Sequence, residues 1–245
     1  AMTNPVEEFA DADCILITGT NATETHPVTG TYIRNAVAKG AKVLVIDPRK
    51  IDIVSDSYLW LRQKSGTDVA WINGMINVII TEGYANEDFI KERTEGFEEL
   101  KKAVASYTPE KVEEITGIKA DDLREAARVY ASSEKSSIVY AMGITQHITG
   151  TDNVLSLANL AMVTGQIGRA STGVNPLRGQ NNVQGACDFG GLPNVYSGYQ
   201  KVADPAVKEK FQKAWNVPNL SDKDGLTIVE MMNAAADGKV KGLYV

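Results

Sequence analysis

Short unbroken apolar runs alternate along this chain with longer stretches of helical rhythm. Asp13-Cys-Ile-Leu-Ile-Thr18, Ala41-Lys-Val-Leu-Val-Ile46 and Ser137-Ile-Val-Tyr-Ala141 have the texture of parallel strands buried on both faces. Ser57-Tyr-Leu-Trp-Leu61 reads as a further strand. Between the first two runs, Val28 to Ala38 repeats apolar residues at helical spacing (Tyr32, Ile33, Ala36, Val37), and Gly40 stands where a helix closes. Strand, helix and strand in that space predict a right-handed βαβ unit. Helices are predicted over 69–81, capped by Thr67 or Asp68, over 89–107, at 108–115, at 119–130 and over 152–165. The alternation predicts an α/β fold with a doubly wound, mainly parallel sheet.

The texture changes after Gly173. Residues 174–200 are rich in Gly, Asn and Gln, with little periodicity, before helical patterns resume at 205–215 and 226–236. Leu243-Tyr-Val245 reads as a strand. A domain boundary is therefore expected near Arg178, with a Rossmann-like domain over 1–178 and part of a second α/β domain over 179–245. At the boundary, Asn175-Pro-Leu-Arg-Gly-Gln-Asn-Asn-Val-Gln-Gly185 holds five side-chain amides, two glycines and one arginine. Such a segment suits either an amide-rich surface turn or a loop against a polar, anionic ligand.

The chain has 245 residues, 43% of them hydrophobic, and a net charge of −6. That acidic balance, without a basic run, argues against nucleic-acid binding by phosphate neutralisation. No apolar stretch is long enough to span a bilayer, and the first residues have no basic-then-apolar leader pattern. Its two cysteines, Cys14 and Cys187, are too few for a structural zinc site or an iron–sulfur cluster, which need about four ligands. Cys14 lies in an apolar run and reads as a small buried hydrophobe.

In open α/β sheets, ligands bind beyond the carboxyl ends of the strands. That rule selects four segments. Gly19-Thr-Asn-Ala-Thr-Glu-Thr-His-Pro27 follows the first strand and lacks the G-x-G-x-x-G spacing of nicotinamide-binding domains, yet Asn21, Thr23, Glu24 and Thr25 suit hydroxyl and phosphate groups. Asp47-Pro-Arg-Lys50 places an acid for a ribose or base hydrogen bond and a cation, Arg49, for a phosphate. Ser65-Gly-Thr-Asp68 opens a helix, and alone reads first as a cap with a glycine turn. Ala141-Met-Gly-Ile-Thr-Gln-His147 follows the later strand. Neither His26 nor His147 belongs to a nucleophilic triad pattern. Together these residues amount to a nucleotide-type binding surface without complete chemistry.

As an ordered set the segments resemble the molybdopterin oxidoreductase superfamily, and most closely the catalytic subunits of molybdenum- or tungsten-dependent formate dehydrogenases. The resemblance rests on the G-x-N loop with His26-Pro27, V-I-D-P-R at 45–49, G-T-D at 66–68, M-G-x-x-Q at 142–146, and above all N-P-L-R-G-Q-N-N-V-Q-G-A-C-D at 175–188. It implies a bis(molybdopterin guanine dinucleotide) cofactor with Mo or W. Gly19, Asn21, Glu24, His26, Asp47, Arg49, Gly66, Thr67 and Asp68 would hold one guanine dinucleotide. Met142, Gly143, Gln146 and Gln180 would lie nearer the pterin. Arg178 matches the arginine that orients the formate carboxylate.

The same resemblance implies parts that these residues lack: a metal-ligating cysteine or selenocysteine, a 4Fe-4S cluster and a C-terminal cap. It therefore implies an internal fragment of a longer catalytic subunit, inactive when isolated, whose partners are formate, the rest of the subunit and an electron-transfer subunit. The default location is cytoplasmic, or periplasmic if an export signal precedes Ala1. The rival expectations are another molybdopterin oxidoreductase (nitrate, arsenic or polysulfide), a plain NAD-binding dehydrogenase domain, and a non-catalytic nucleotide-binding or scaffold domain.

Overall fold

In the computed structural model, which describes residues 2–243, the chain forms two compact units, Ala1–Gly179 and Gln180–Val245. The first begins with a 3-10 turn, Val6–Asp11, and strand β1, Cys14–Thr18. Helices α1 (Ala22–Thr25) and α2 (Pro27–Ala38) lead to β2, Lys42–Ile46. A second 3-10 turn, Asp52–Asp56, precedes β3, Leu59–Leu61. Five helices follow: α3 (Asp68–Thr81), α4 (Glu87–Arg93), α5 (Phe97–Val104), α6 (Pro109–Thr116) and α7 (Ala120–Ser132). Strand β4 (Ser136–Tyr140), helices α8 (Met142–Thr145) and α9 (Gly150–Val163), and β5 (Gly173–Pro176) complete the unit.

The sheet order is β3-β2-β1-β4-β5, and every pairing is parallel. The chain runs outward from β1 to one edge, then restarts at β4 on the other side. The topological switch point therefore lies between β1 and β4, where the carboxyl ends of α/β sheets leave a crevice.

The apolar runs are continuous because alternate residues face two cores. Leu16, Leu44, Ile46 and Ile138 join Trp71, Ile72 and Ile76 of α3, Leu123 and Ala127 of α7, and Leu157 and Leu160 of α9. Ile15, Ile17, Val43, Val45 and Val139 join Ile33 and Ala36 of α2, with Phe9 and Ile53 from the 3-10 turns. Each buried Leu, Ile or Phe contributes roughly 1.5–3 kcal/mol. The alternation also sets the register, since a one-residue slip would exchange the two faces.

The span 89–107 is two helices, not one. Gly96 has φ +72°, a conformation a helix interior does not contain, and it is the N-cap of α5. The break lets Ile90 be buried and Phe97 and Leu100 pack against the core from separate helices. Strand β5 falls in the stretch read as irregular. Its Asn175 is fully buried, and its amide donates to Ser137 Oγ at 2.8 Å and to the Thr172 carbonyl at 3.2 Å. Those bonds offset the desolvation that otherwise keeps asparagine out of buried strands.

The second unit holds α10 (Val183–Asp188), a two-stranded antiparallel ribbon of β6 (Val195–Tyr196) and β7 (Gln200–Lys201), α11 (Pro205–Trp215) and α12 (Ile228–Ala236). Within it Tyr196, Phe211 and Trp215 cluster, with ring centroids 4.7–5.8 Å apart. The strand expected at 243–245 lies largely outside the described residues, and Leu243 is not in a strand. No described helix is long and apolar enough to cross a membrane.

Candidate functional site

A pocket of about 350 Å³ opens at the carboxyl edge of the sheet, a volume suited to a nucleotide-sized ligand. All five strands feed it. Gly19, Thr20 and Asn21 follow β1; Asp47, Pro48 and Arg49 follow β2; Gln63 follows β3; Ala141, Met142 and Gly143 follow β4; Leu177 and Gly179 follow β5. Thr25, His26, Ser65, Gly66, Asp68 and His147 complete the wall.

The floor is set by a contact between two glycines. The Gly143 amide donates to the Gly19 carbonyl at 3.0 Å, joining the loops that leave the two strands flanking the switch point. Gly19 has φ +58°, and a Cβ there would lie 2.7 Å from backbone atoms of Gly143 and Ile144. A Cβ on Gly143 would lie 2.6 Å from Gly19 Cα. Only two glycines allow this approach. Across the pocket Gly66, at φ +81°, has open space where a Cβ would stand. It turns the chain into α3, whose N-terminal dipole favours an anion.

Two buried carboxylates give the pocket its polarity. Asp47 is 3% exposed and Asp68 4% exposed. Asp47 Oδ1 accepts the Arg49 amide at 2.8 Å, while Trp60 Nε1 donates to the Asp47 carbonyl at 2.9 Å. Burial pushes the Asp47 carboxyl above its ordinary value; the Arg49 amide and guanidinium oppose that shift, and the charge of Asp68 adds to it. Asp68 Oδ1 accepts from Trp71 Nε1 at 3.3 Å and Gln63 Nε2 at 3.4 Å, and its Oδ2 lies 3.9 Å from His147 Nε2. His147 Nε2 donates to the Gly143 carbonyl at 2.8 Å.

Two polar atoms in this wall, Thr20 Oγ1 and Gln63 Oε1, are buried with no hydrogen-bond partner. An unmade bond of this kind costs about 1–3 kcal/mol. A ligand carrying hydroxyls, N–H edges and phosphates fits the set: unpartnered Thr20 and Gln63, acceptor oxygens on Asp47 and Asp68, and a glycine-flanked helix start. Among the described residues no group of three or more His, Cys, Asp or Glu is placed to hold a metal ion.

Nine residues selected from the sequence line the pocket: Gly19, Asn21, His26, Asp47, Arg49, Gly66, Asp68, Met142 and Gly143. Five are placed elsewhere. Glu24 is exposed on α1, and Thr67, the N-cap residue of α3, turns its hydroxyl back to the Lys64 carbonyl at 2.7 Å and makes no side-chain bond to the helix. Gln146 is exposed with Nε2 4.0 Å from Met142 Sδ. Arg178 is exposed, between the lining residues Leu177 and Gly179, and its charge partly offsets the burial that raises the Tyr140 phenol. Gln180 is the first residue of the second unit. Sequence reasoning missed Thr20 and Gln63. Gln63 had a usable signal, a polar residue just past a strand's carboxyl end.

A family model described as molybdopterin oxidoreductase matches residues 1–245. The chain is 46% identical over 245 residues to formate dehydrogenase H of Escherichia coli, covering 100% of this chain and 34% of that relative. It is 50% identical to the F420-dependent formate dehydrogenase subunit alpha of Methanocaldococcus jannaschii, again over 100% of this chain and 36% of the relative. The chain thus spans about a third of the length of the curated relatives it matches. Among solved structures, acetylene hydratase from Pelobacter acetylenicus superposes with a TM-score of 0.63 at 34% identity, covering 65% of this chain and 22% of that one.

Proposed function

The chain belongs to the molybdopterin oxidoreductase family, and on that premise we propose that it is the part of a formate dehydrogenase catalytic subunit that holds one guanine dinucleotide of the molybdopterin cofactor. The observation that carries the proposal is the convergence of five strand ends on one pocket with two buried acids and two unpartnered buried oxygens. The first unit is the dinucleotide-binding domain, and the second is part of an adjoining α/β domain.

Bound here, the cofactor would supply two-electron redox chemistry at a molybdenum or tungsten centre. The residues of this chain bind and orient. Asp47 and Asp68 accept hydrogen bonds from ribose hydroxyls and guanine N–H groups, with Gln63 and Thr20 completing the set. Gly66 and the start of α3 receive the diphosphate, with Arg49 beside it. Met142 and Gly143 would lie on the pterin side, with Gln146 as a further contact there. Arg178 anchors the formate carboxylate through its guanidinium fork. The fold alone does not select formate, since acetylene hydratase shares it. The substrate reading is supported by Arg178 within R-G-Q-N-N-V-Q-G and by the names of the relatives at 46% and 50% identity.

Two measurements test this. Titration calorimetry of the 245-residue chain should give saturable GDP binding, weakened in Asp47→Asn; saturable NAD binding with no response to GDP would sink the reading. In the full-length, cofactor-loaded subunit, Arg178→Ala should raise the formate KM about 10–100-fold, the equivalent of one charged hydrogen-bonding partner. The 245-residue chain alone should not oxidise formate.

A further inference from the structure

We infer that His26 is a positioning residue for Arg178, holding the main chain of the substrate-anchoring loop from the junction of α1 and α2. The inference rests on the reading of Arg178 given above. His26 stands between α1 and α2, and its own backbone is bound at both ends. Its N–H donates to the Ala22 carbonyl at 2.9 Å, and its carbonyl accepts the Gly30 amide at 2.9 Å. From that fixed base the ring reaches across 152 residues of sequence to the Arg178 carbonyl oxygen, in contact with Nε2.

A carbonyl oxygen only accepts, so Nε2 carries the proton and donates. In the neutral ring, Nδ1 is then an acceptor, and the Thr25 hydroxyl lies 2.9 Å from it. The same hydroxyl is 3.0 Å from the Asn21 carbonyl, which already accepts the Glu24 and Thr25 amides. Thr25 can therefore donate to the ring without stranding that oxygen. The tautomer that binds Arg178 is the one its neighbour favours.

Further restraints act on the residues that flank Arg178. The Leu177 amide donates to the Tyr140 carbonyl at 2.8 Å, continuing the β4–β5 ladder by one residue. Gly179 packs beside Met142, whose sulfur would lie 3.4 Å from a Cβ there. His26 acts on the Arg178 carbonyl itself. A guanidinium that must meet a carboxylate in two parallel bonds depends on such a support, because small errors in its base are magnified along a four-bond side chain. The role also ties the first loop to the arginine: whatever orders Gly19 to His26 also orders the segment ending at Arg178.

The test uses His26→Ala and His26→Gln, the latter keeping an N–H donor near the Nε2 position. In the cofactor-loaded full-length subunit, His26→Ala should raise the formate KM about three- to tenfold at unchanged cofactor content, as expected for one neutral hydrogen bond, and His26→Gln should restore most of it. Independently of substrate, amide exchange of residues 174–179 in the unloaded chain should quicken in His26→Ala and return toward the parent rate in His26→Gln. Unchanged KM and exchange in His26→Ala, beside a raised KM in Arg178→Ala, would overturn the inference and leave the substrate reading intact. An unaltered KM in Arg178→Ala would instead overturn the reading of Arg178. Cofactor loss in both His26 variants would make His26 a cofactor contact and end the positioning role.

Discussion

Alanine at each of three pocket glycines should separate two physical effects that usually act together. At Gly66 the backbone is left-handed, φ +81°, and a Cβ meets nothing within 4 Å. Gly66→Ala therefore carries strain alone, about 1–2 kcal/mol for an L-residue in that region. At Gly143 the backbone is helical, but a Cβ would stand 2.6 Å from Gly19 Cα and 2.7 Å from its carbonyl oxygen. Both are main-chain atoms, so no rotamer relieves the overlap. Gly143→Ala carries overpacking alone, about 1–3 kcal/mol. Gly19→Ala carries both, since φ is +58° and its Cβ would meet Gly143 and Ile144 backbone at 2.7 Å. Its cost should be near the sum, about 2–5 kcal/mol.

Urea unfolding followed by tryptophan fluorescence reads these differences, because Trp71 is fully buried on α3. In thermal unfolding, at about 2–4 °C per kcal/mol for a chain of this size, Gly19→Ala should lower Tm by roughly 4–20 °C. The Gly19→Ala/Gly143→Ala double variant should cost less than the sum of its parts, because loops already pushed apart by one methyl have room for the other. A Gly66→Ala loss as large as that of Gly19→Ala, or a neutral Gly143→Ala, would refute the reasoning. The pocket should respond differently. Gly143→Ala should weaken GDP binding by spreading the loops, whereas Gly66→Ala should weaken it only as far as α3 shifts.

Thr20→Val removes a buried hydroxyl that has no partner, so the unliganded chain should gain about 1 kcal/mol in urea unfolding while its GDP affinity falls; a loss of stability would refute the orphan assignment. Asp47 has its carboxyl raised above the ordinary value of 3.8 by burial. The folded state therefore binds more protons than the unfolded one, and stability falls as pH rises from 3.8 through the folded value. Asp47→Asn should flatten that part of the pH–stability curve above pH 3.8, and an unaltered slope would count against it. Iodoacetamide at pH 8 should label half-buried Cys187 and spare Cys14, whose thiol is fully buried and pushed up to about 12, as peptide mass spectrometry can read.

Much of the first unit was legible because its signals are local. The apolar runs at 13–18, 41–46 and 137–141 became β1, β2 and β4 within a residue at each end, since burial on both faces leaves no polar position to blur them. The strand-end rule then pointed to Gly19, Asp47, Asp68 and Gly143 before any contact was known. Where partners are distant, the sequence was mute. Asn175 sits in a strand only because Ser137 and Thr172 satisfy its amide, so a window around 175 reads as a loop. The break at Gly96 was masked by the charged helical texture on both sides.

By itself, then, the sequence determined a parallel α/β sheet, its strand and helix inventory over most of the first unit, and a family resemblance resting on ordered loop segments. Tertiary structure decided which loops share a pocket. The order β3-β2-β1-β4-β5 brings five strand ends to one edge, sets the Gly19 carbonyl against the Gly143 amide, leaves Thr20 and Gln63 without partners, and lets His26 reach the Arg178 carbonyl. Periodicity and capping are encoded within a few residues. Convergence depends instead on the register of parallel strands more than a hundred residues apart, and no local stretch of chain contains it.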